Sequence, residues 1–280
     1  MPELPEVETV CRELERVALG RKIEKADVHS VKIRIAVPDN LPRKLKGRTI
    51  SRISRRAKYI LIHLDNDHIL VIHLGMSGRI RIEGNAQKTL VKHDHLTLFL
   101  SGELQISFND PRRFGLIAYM SESEMASHPL FSHLGPEPLE LQFSAKFLAS
   151  ALSKRKTPVK IAIMDQELVV GVGNIYASEA LFEAGILPDI PAHELGAEDA
   201  ARLVKAIRLV LKKAIKAGGS TLRDYRRTNG DLGYFQHQFS VYDREGKACG
   251  KCDCNTARTG GVQKLVQGGR STFYCPRKQV

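Results

Sequence analysis

The 280-residue sequence predicts an α+β protein of more than one domain. Three observations carry this: apolar residues at helical spacing near the start, a long run of short alternating segments after them, and helical spacing again beyond a Gly/Pro-rich break. Pro5 suits a first helical turn, and Val7, Val10, Leu14 and Val17 follow at three- and four-residue steps until Gly20. From Lys22 to Tyr119 the pattern is that of strands, with runs at 59–64, 69–74, 95–100 and 104–108 separated by polar or glycine turns. Gly135-Pro136-Glu137-Pro138 and the Ser-Glu-Ser-Glu before it mark 121–142 as a linker. Helical spacing returns at 143–152, at 175–184 and at Leu203, Ile207, Val210, Leu211 and Ile215. Glu198 and Asp199 near the start of that last helix, with Lys212, Lys213 and Lys216 near its end, agree with the helix dipole. A polar, glycine-bearing stretch then runs to Gln238, and a cysteine-bearing tail follows. The expected domains are therefore 1–120, a linker 121–142, a helical domain 143–238 and a tail 239–280.

Lys and Arg number 43 against 31 Asp and Glu, a formal charge of +12 that suits a polyanionic partner, nucleic acid first. No apolar run is long enough to span a bilayer, and the N-terminus has no basic region followed by an apolar stretch. The expectation is a cytoplasmic protein with no membrane partner. Cys11 stands alone while Cys249, Cys252, Cys254 and Cys275 crowd the tail, which suits a metal site better than a secreted disulfide framework.

Removal of Met1, expected ahead of a small second residue, turns the Pro2 nitrogen into a free secondary amine. An α-amino group titrates at about 8, against about 10.4 for lysine, so a share of it is nucleophilic at neutral pH. Attack by such an amine on a sugar C1′ would give an iminium cation, an electron sink that labilises the C2′ proton, so that base loss and strand scission would share one intermediate; a proline at position 2 by itself is common and carries no such meaning. Glu3 adjoins Pro2, and a helical turn brings Glu6 back to the same face. Carboxylates there are also ordinary decoration of a helix N-terminus.

Pro2-Glu3-Leu4-Pro5-Glu6-Val7-Glu8-Thr9 resembles the opening signature of the formamidopyrimidine-DNA glycosylases, and further matches follow in the family's order along almost the whole chain. The resemblance implies a β-sandwich domain with a catalytic N-terminal helix, then a helix-two-turn-helix domain with a β-hairpin zinc finger, and damaged double-stranded DNA in a basic cleft between them. It implies a monomeric, bifunctional glycosylase and abasic-site lyase that removes 8-oxoguanine and formamidopyrimidines and then performs β- and δ-elimination. Pro2 would be the nucleophile, Glu3 the acid/base and Glu6 a support; Lys58, in Arg-Arg-Ala-Lys-Tyr, would bind phosphate and assist elimination. His73-Leu74-Gly75-Met76-Ser77-Gly78 and Asp110-Pro111-Arg112-Arg113-Phe114-Gly115 resemble the family's two probe segments. Flipping a base out of a duplex leaves a hole, at a cost of about a few kcal/mol. Met76 and Phe114 can fill or wedge that hole, and Arg112 can donate to the orphaned cytosine. By residue type alone, Met76 reads as core and Arg112 as surface.

Asn174, in Gly171-Val172-Gly173-Asn174-Ile175-Tyr176, falls in the helix-two-turn-helix match, where it can cap a helix or donate to phosphate. Thr221, Arg223 and Tyr225 lie in the segment that would cover the flipped base. In the tail, Tyr242 matches a phosphate-contacting tyrosine and Arg270 the hairpin arginine that bridges phosphates near the lesion. The family's finger ends Cys-x-x-Cys, whereas this chain reads Cys275-Pro276-Arg277-Lys278. With Cys254 as an additional thiol, Cys249, Cys252, Cys254 and Cys275 could restore four ligands for one structural zinc ion; the alternative is a metal-free hairpin held by its own packing that presents Arg270 all the same. Two other readings compete: an endonuclease VIII type enzyme for oxidised pyrimidines, and a lesion-binding protein without catalysis. Pro2-Glu3-Leu4-Pro5-Glu6 favours the purine branch, and intact Pro2, Glu3 and Lys58 favour an enzyme.

Overall fold

In the computed structural model, which describes residues 1–84, 90–220, 234–252 and 255–280, the chain opens with helix α1 (Leu4–Ala18). Pro5 lies in its first turn, and Val7, Val10, Cys11 and Leu14 form its buried face. The strands follow as β1 (Ile23–Val28), β2 (Ile50–Arg56), β3 (Tyr59–Leu64), β4 (His68–His73), β5 (Arg79–Gly84), β6 (Asp94–Leu100), β7 (Leu104–Asn109) and β8 (Leu116–Ser121), with a short helix α2 (Leu41–Leu45) between β1 and β2. Among the described residues they form two antiparallel four-stranded sheets, ordered β1-β6-β7-β5 and β2-β3-β4-β8.

Alternation along each strand explains why the sheets form a sandwich. Leu96, Leu98 and Leu100 of β6 and Ile106 and Phe108 of β7 join Ile60, Ile62, Leu70, Ile72 and Ile117 of the other sheet in one core, which the apolar face of α1 also enters. On the opposite face of the first sheet, Thr97 and Ser107 hydroxyls lie 3.3 Å apart and Gln105 donates to Ser107. In the second sheet the middle of β3, β4 and β8 is apolar on both faces. Leu61, Val71 and Ala118 align across β3, β4 and β8 and are buried as well, so these strands read as continuous apolar runs rather than alternating ones.

The molecule divides into two compact units, Met1–Ser132 with Ala217–Tyr234, and His133–Lys216 with Phe235–Val280. The second contains α3 (Ala145–Leu152), α4 (Val159–Met164), α5 (Asn174–Ala184), α6 (Ala197–Lys216), α7 (Thr256–Thr259) and the hairpin β9 (Gln263–Gln267) and β10 (Arg270–Tyr274). α6 buries Leu203, Ile207, Val210 and Leu211 as one stripe, whereas α5 is buried on all sides from Ile175 to Phe182. α4 and α5 are joined by two turns held by Gln166, whose amide donates to Met164 O and Val172 O and accepts from Gly171 N. No helix among the described residues is long and apolar enough to cross a membrane.

Candidate active site and nucleic-acid interface

The start of α1 gathers the first cluster. Pro2, Glu3 and Glu6 are buried, the two carboxylates to 3% and 2% exposure. Glu6 Oε2 accepts from Glu3 N at 2.9 Å, which fixes the backbone beside Pro2. Glu6 Oε1 accepts from the N–H and hydroxyl of Ser220 at 2.7 and 3.1 Å. Gly219 makes this approach feasible: its φ is +78°, and a Cβ there would meet Glu6 Oε1 at 3.0 Å. Sequence reasoning found Glu3 and Glu6 but not Ser220, whose partner is more than two hundred residues away. Thr221, Arg223 and Tyr225 lie outside the described residues.

Lys58, 7% exposed, sits with Ala57 in the two-residue turn between β2 and β3, and Ala57 takes a left-handed φ of +53°. Arg55 holds this turn by donating to Ala57 O at 2.9 Å and links it to α1 through Glu8 at 3.1 Å. Across β3 and β4, Tyr59 pairs with His73, their rings 4.9 Å apart. His73 Nδ1 accepts from Gly75 N at 3.0 Å. Burial, with the charges of Lys58 and Arg34, lowers the His73 pKa from 6.5 to about 4, Asp110 opposing, so the ring is neutral and its Nε2 carries the proton. Arg34, exposed beside this pair, had no motif to reveal it.

The two probe-like loops are a single construction. Asp110 is fully buried; its Oδ1 accepts from the Ser77 hydroxyl at 2.6 Å and Arg112 N at 3.3 Å, and its Oδ2 from Gly115 N at 2.8 Å. A Cβ on Gly75 would lie 2.4 Å from Gly115 N, and one on Gly115 would lie 2.6 Å from His73 O, so the backbones cross at glycines. This leaves Met76 38% and Phe114 45% exposed, with the Arg112 guanidinium 4.9 Å from the centre of the Phe114 ring. Met76 is thus a surface residue, against the expectation from residue type alone.

In the second unit Asn174 is the first residue of α5, and Gly173 takes the capping position without a side-chain cap. The Asn174 amide turns instead to Ser271 O at 2.9 Å and the Tyr242 hydroxyl at 3.3 Å, while its Oδ1 accepts from Lys160 Nζ at 2.6 Å. Lys160, fully buried, also donates to Thr272 Oγ1 at 2.6 Å. Buried Glu179 accepts from the backbone N–H groups of Ser240, Val241 and Tyr242, and its pKa is raised because desolvation outweighs those bonds. Asn174, Tyr242 and the hairpin of Arg270 are thereby brought together by the buried side chains of Lys160 and Glu179, whose roles the sequence did not disclose. Arg270 follows the tip glycines Gly268 and Gly269, both at positive φ, and is exposed.

The tail holds a sulfur cluster. Cys249, Cys252 and Cys275 place their Sγ atoms within 4.8 Å of one another, at 3.2 Å for Cys249 and Cys252 and 3.6 Å for Cys252 and Cys275. Sulfurs on one tetrahedral zinc ion stand about 3.8 Å apart, so the three fit a metal. Ligation requires the three sulfurs as thiolates. Cys254 lies outside the described residues. Lys278 Nζ lies 4.9 Å from the centre of the Phe182 ring.

Buried carboxylates at the start of the first helix, followed in sequence by two helices joined through tight turns and a cysteine-bearing hairpin, are the arrangement of a DNA glycosylase of the lyase class, as comparison with known proteins shows. The sequence model of the formamidopyrimidine-DNA glycosylase N-terminal domain matches residues 1–117, and that of the family's helix-two-turn-helix domain matches residues 134–226. The formamidopyrimidine-DNA glycosylase of Rhodospirillum rubrum is 47% identical over 282 residues, covering 100% of both chains, and that of Dinoroseobacter shibae is 48% identical over 287 residues, again covering 100% of both. The crystal structure of the MutM (Fpg) protein of Thermus thermophilus superimposes with a TM-score of 0.85 at 38% identity, over 99% of this chain and 98% of that one. A mutant of the Lactococcus lactis protein in complex with DNA containing Fapy-dG does so with a TM-score of 0.89 at 35% identity, over 99% of each. This chain belongs to the formamidopyrimidine-DNA glycosylase family.

Proposed function

We propose that this chain excises oxidised purines, 8-oxoguanine and formamidopyrimidines, from duplex DNA and then cuts the backbone as an abasic-site lyase in the bacterial cytoplasm. Residues 1–120 carry the chemistry, while 143–238 and the tail 239–280 hold the nucleic acid. Once Met1 is removed, the Pro2 nitrogen attacks C1′, a C–N bond forms as the glycosidic bond breaks, and the base leaves with a proton. The C1′–O4′ bond then breaks, O4′ taking a proton as the nitrogen lone pair forms the iminium; loss of the C2′ proton expels the 3′ phosphate, and loss of the C4′ proton then expels the 5′ phosphate. Glu3 handles the sugar-oxygen and elimination protons. Glu6 supports the site, and the observation that carries the reading is its carboxylate, which fixes the backbone of Glu3 with one oxygen and Ser220 with the other.

Lys58 binds phosphate beside the lesion, neutral His73 donates through Nε2, Met76 and Phe114 fill the vacated stack and Arg112 meets the orphaned cytosine. Asn174, Tyr242 and Arg270 contact phosphates, and Thr221, Arg223 and Tyr225 cover the flipped base. One zinc ion bound by Cys249, Cys252, Cys254 and Cys275 would cross-link the tail; it supplies structure and no step of the reaction. Borohydride reduction on an 8-oxoguanine duplex tests the chemistry: mature protein gives a covalent complex, and Pro2→Gly or retained Met1 gives none. Undiminished trapping with Met1 attached would refute the nucleophile.

A further inference from the structure

Gln279 is 1% exposed, and both ends of its amide are used. Its Oε1 accepts from Cys275 N at 2.7 Å, and its Nε2 donates to Ile186 O at 2.7 Å, just past the C-terminal end of α5. Its own N–H donates to Cys275 O at 3.0 Å, and Val280 N donates to Gly185 O at 3.2 Å. Lys278 adds a cation over the Phe182 ring. One primary amide therefore ties the end of β10 to the end of α5, filling a strand-end donor and a helix-end acceptor that are otherwise costly to bury. Apolar packing also seats the hairpin: Phe182, Val241, Val262 and Phe273 pack around Cys249 and Cys275. From its other end Gln267 donates to Pro188 O at 3.1 Å and Lys160 holds Thr272.

We infer that Gln279 is a positioning residue, which holds the Arg270 hairpin against α5 by its amide and so makes the hairpin's placement independent of metal at the cysteine cluster. A metal ligand at position 278 would fasten the tail through sulfur; this chain fastens it one residue later through the backbone of Cys275. The inference rests on the reading of the hairpin as a DNA-contacting element.

The test compares full-length wild type and Gln279→Ala, each reduced, in zinc-loaded and chelator-stripped forms whose zinc content is measured by elemental analysis. The readouts are amide hydrogen exchange over 263–274 and the Kd for a duplex bearing a tetrahydrofuran abasic analogue. Stripped wild type should keep its protection and its Kd. Stripped Gln279→Ala should lose protection and bind roughly tenfold more weakly, the cost of leaving two buried groups unpaired. Zinc should restore Gln279→Ala to wild-type binding, a rescue that general loss of folding would not show. Gln279→Glu, which keeps the acceptor for Cys275 and loses the donor to Ile186, should fall between. Stripped wild type weakening as much as the variant, or stripped Gln279→Ala behaving as wild type, overturns the inference. If neither protein takes up zinc, the metal reading fails alone, and the clamp is judged by the variant against wild type without metal: weaker binding supports it, equal binding overturns it.

Discussion

Asp110 in the first unit and Lys160 in the second are both fully buried ions, and each fixes segments that are distant in sequence. They do so differently. Asp110 collects donors from residues 77, 112 and 115, two of them backbone N–H groups of its own loop, so most of its partners are rigid and local. Lys160 needs oxygens, and takes them from the Asn174 side chain and from Thr272, more than a hundred residues on. Here the carboxylate is satisfied largely by the loop that contains it, whereas the lysine draws its acceptors from other elements. The carboxylate therefore shapes a surface loop, and the ammonium joins a hairpin to a helix.

The largest expected effect follows from that contrast. Lys160→Met should cost about 2–4 kcal/mol in urea unfolding, because buried acceptors on two elements lose a charged donor, and should weaken DNA binding through the displaced hairpin. A loss below experimental error would show that the hairpin is held without the ammonium, and the contrast would collapse. Asp110→Ala should cost about 1–3 kcal/mol and, in addition, blunt discrimination of the base opposite the lesion, since the loops of Met76, Arg112 and Phe114 share its carboxylate. Unchanged discrimination in that variant would confine Asp110 to stability. Arg112→Ala separates the two roles: discrimination should drop about tenfold with the melting temperature unmoved.

The smallest effect is one of pH. The His73 pKa, lowered from 6.5 to about 4 by burial and by Lys58 and Arg34, means that the unfolded chain binds the extra proton first as pH falls. The stability from His73 is therefore fully present above pH 6.5 and is lost as pH falls toward 4. His73→Asn should flatten the pH dependence of unfolding in this window, and NMR titration should find the ring neutral at pH 6; a protonated ring there would contradict the site's electrostatics.

Much of this organisation was legible in the sequence, for identifiable reasons. α1, β6, β7 and α6 announce themselves by a periodic apolar pattern, and β3, β4 and α5 by near-continuous apolar runs of strand or helix length. The short α4 does not, since six residues hold too little periodicity, and its Lys160 reads as a surface residue because lysine is almost never fully buried. Pro2, Glu3 and Glu6 were legible as a motif. Asp110 and Glu179 fall inside recognised segments, but their roles were not legible there, and Ser220 and Gln279 fell in no motif, because what these residues do depends on partners that only the fold brings near.

The glycine crossing of the two probe-like loops has a mechanical consequence. With Gly75 and Gly115 in backbone contact and Asp110 bonded to both sides, Met76 and Phe114 stand on a common stiff mount rather than on separate springs. A load on the Phe114 ring must lean the whole mount, so the pair would test a stack of bases as one blade. Under the proposed function, what that blade meets would be set by how willingly the stack opens, and an unpaired or weakly stacked step would yield before a sound one.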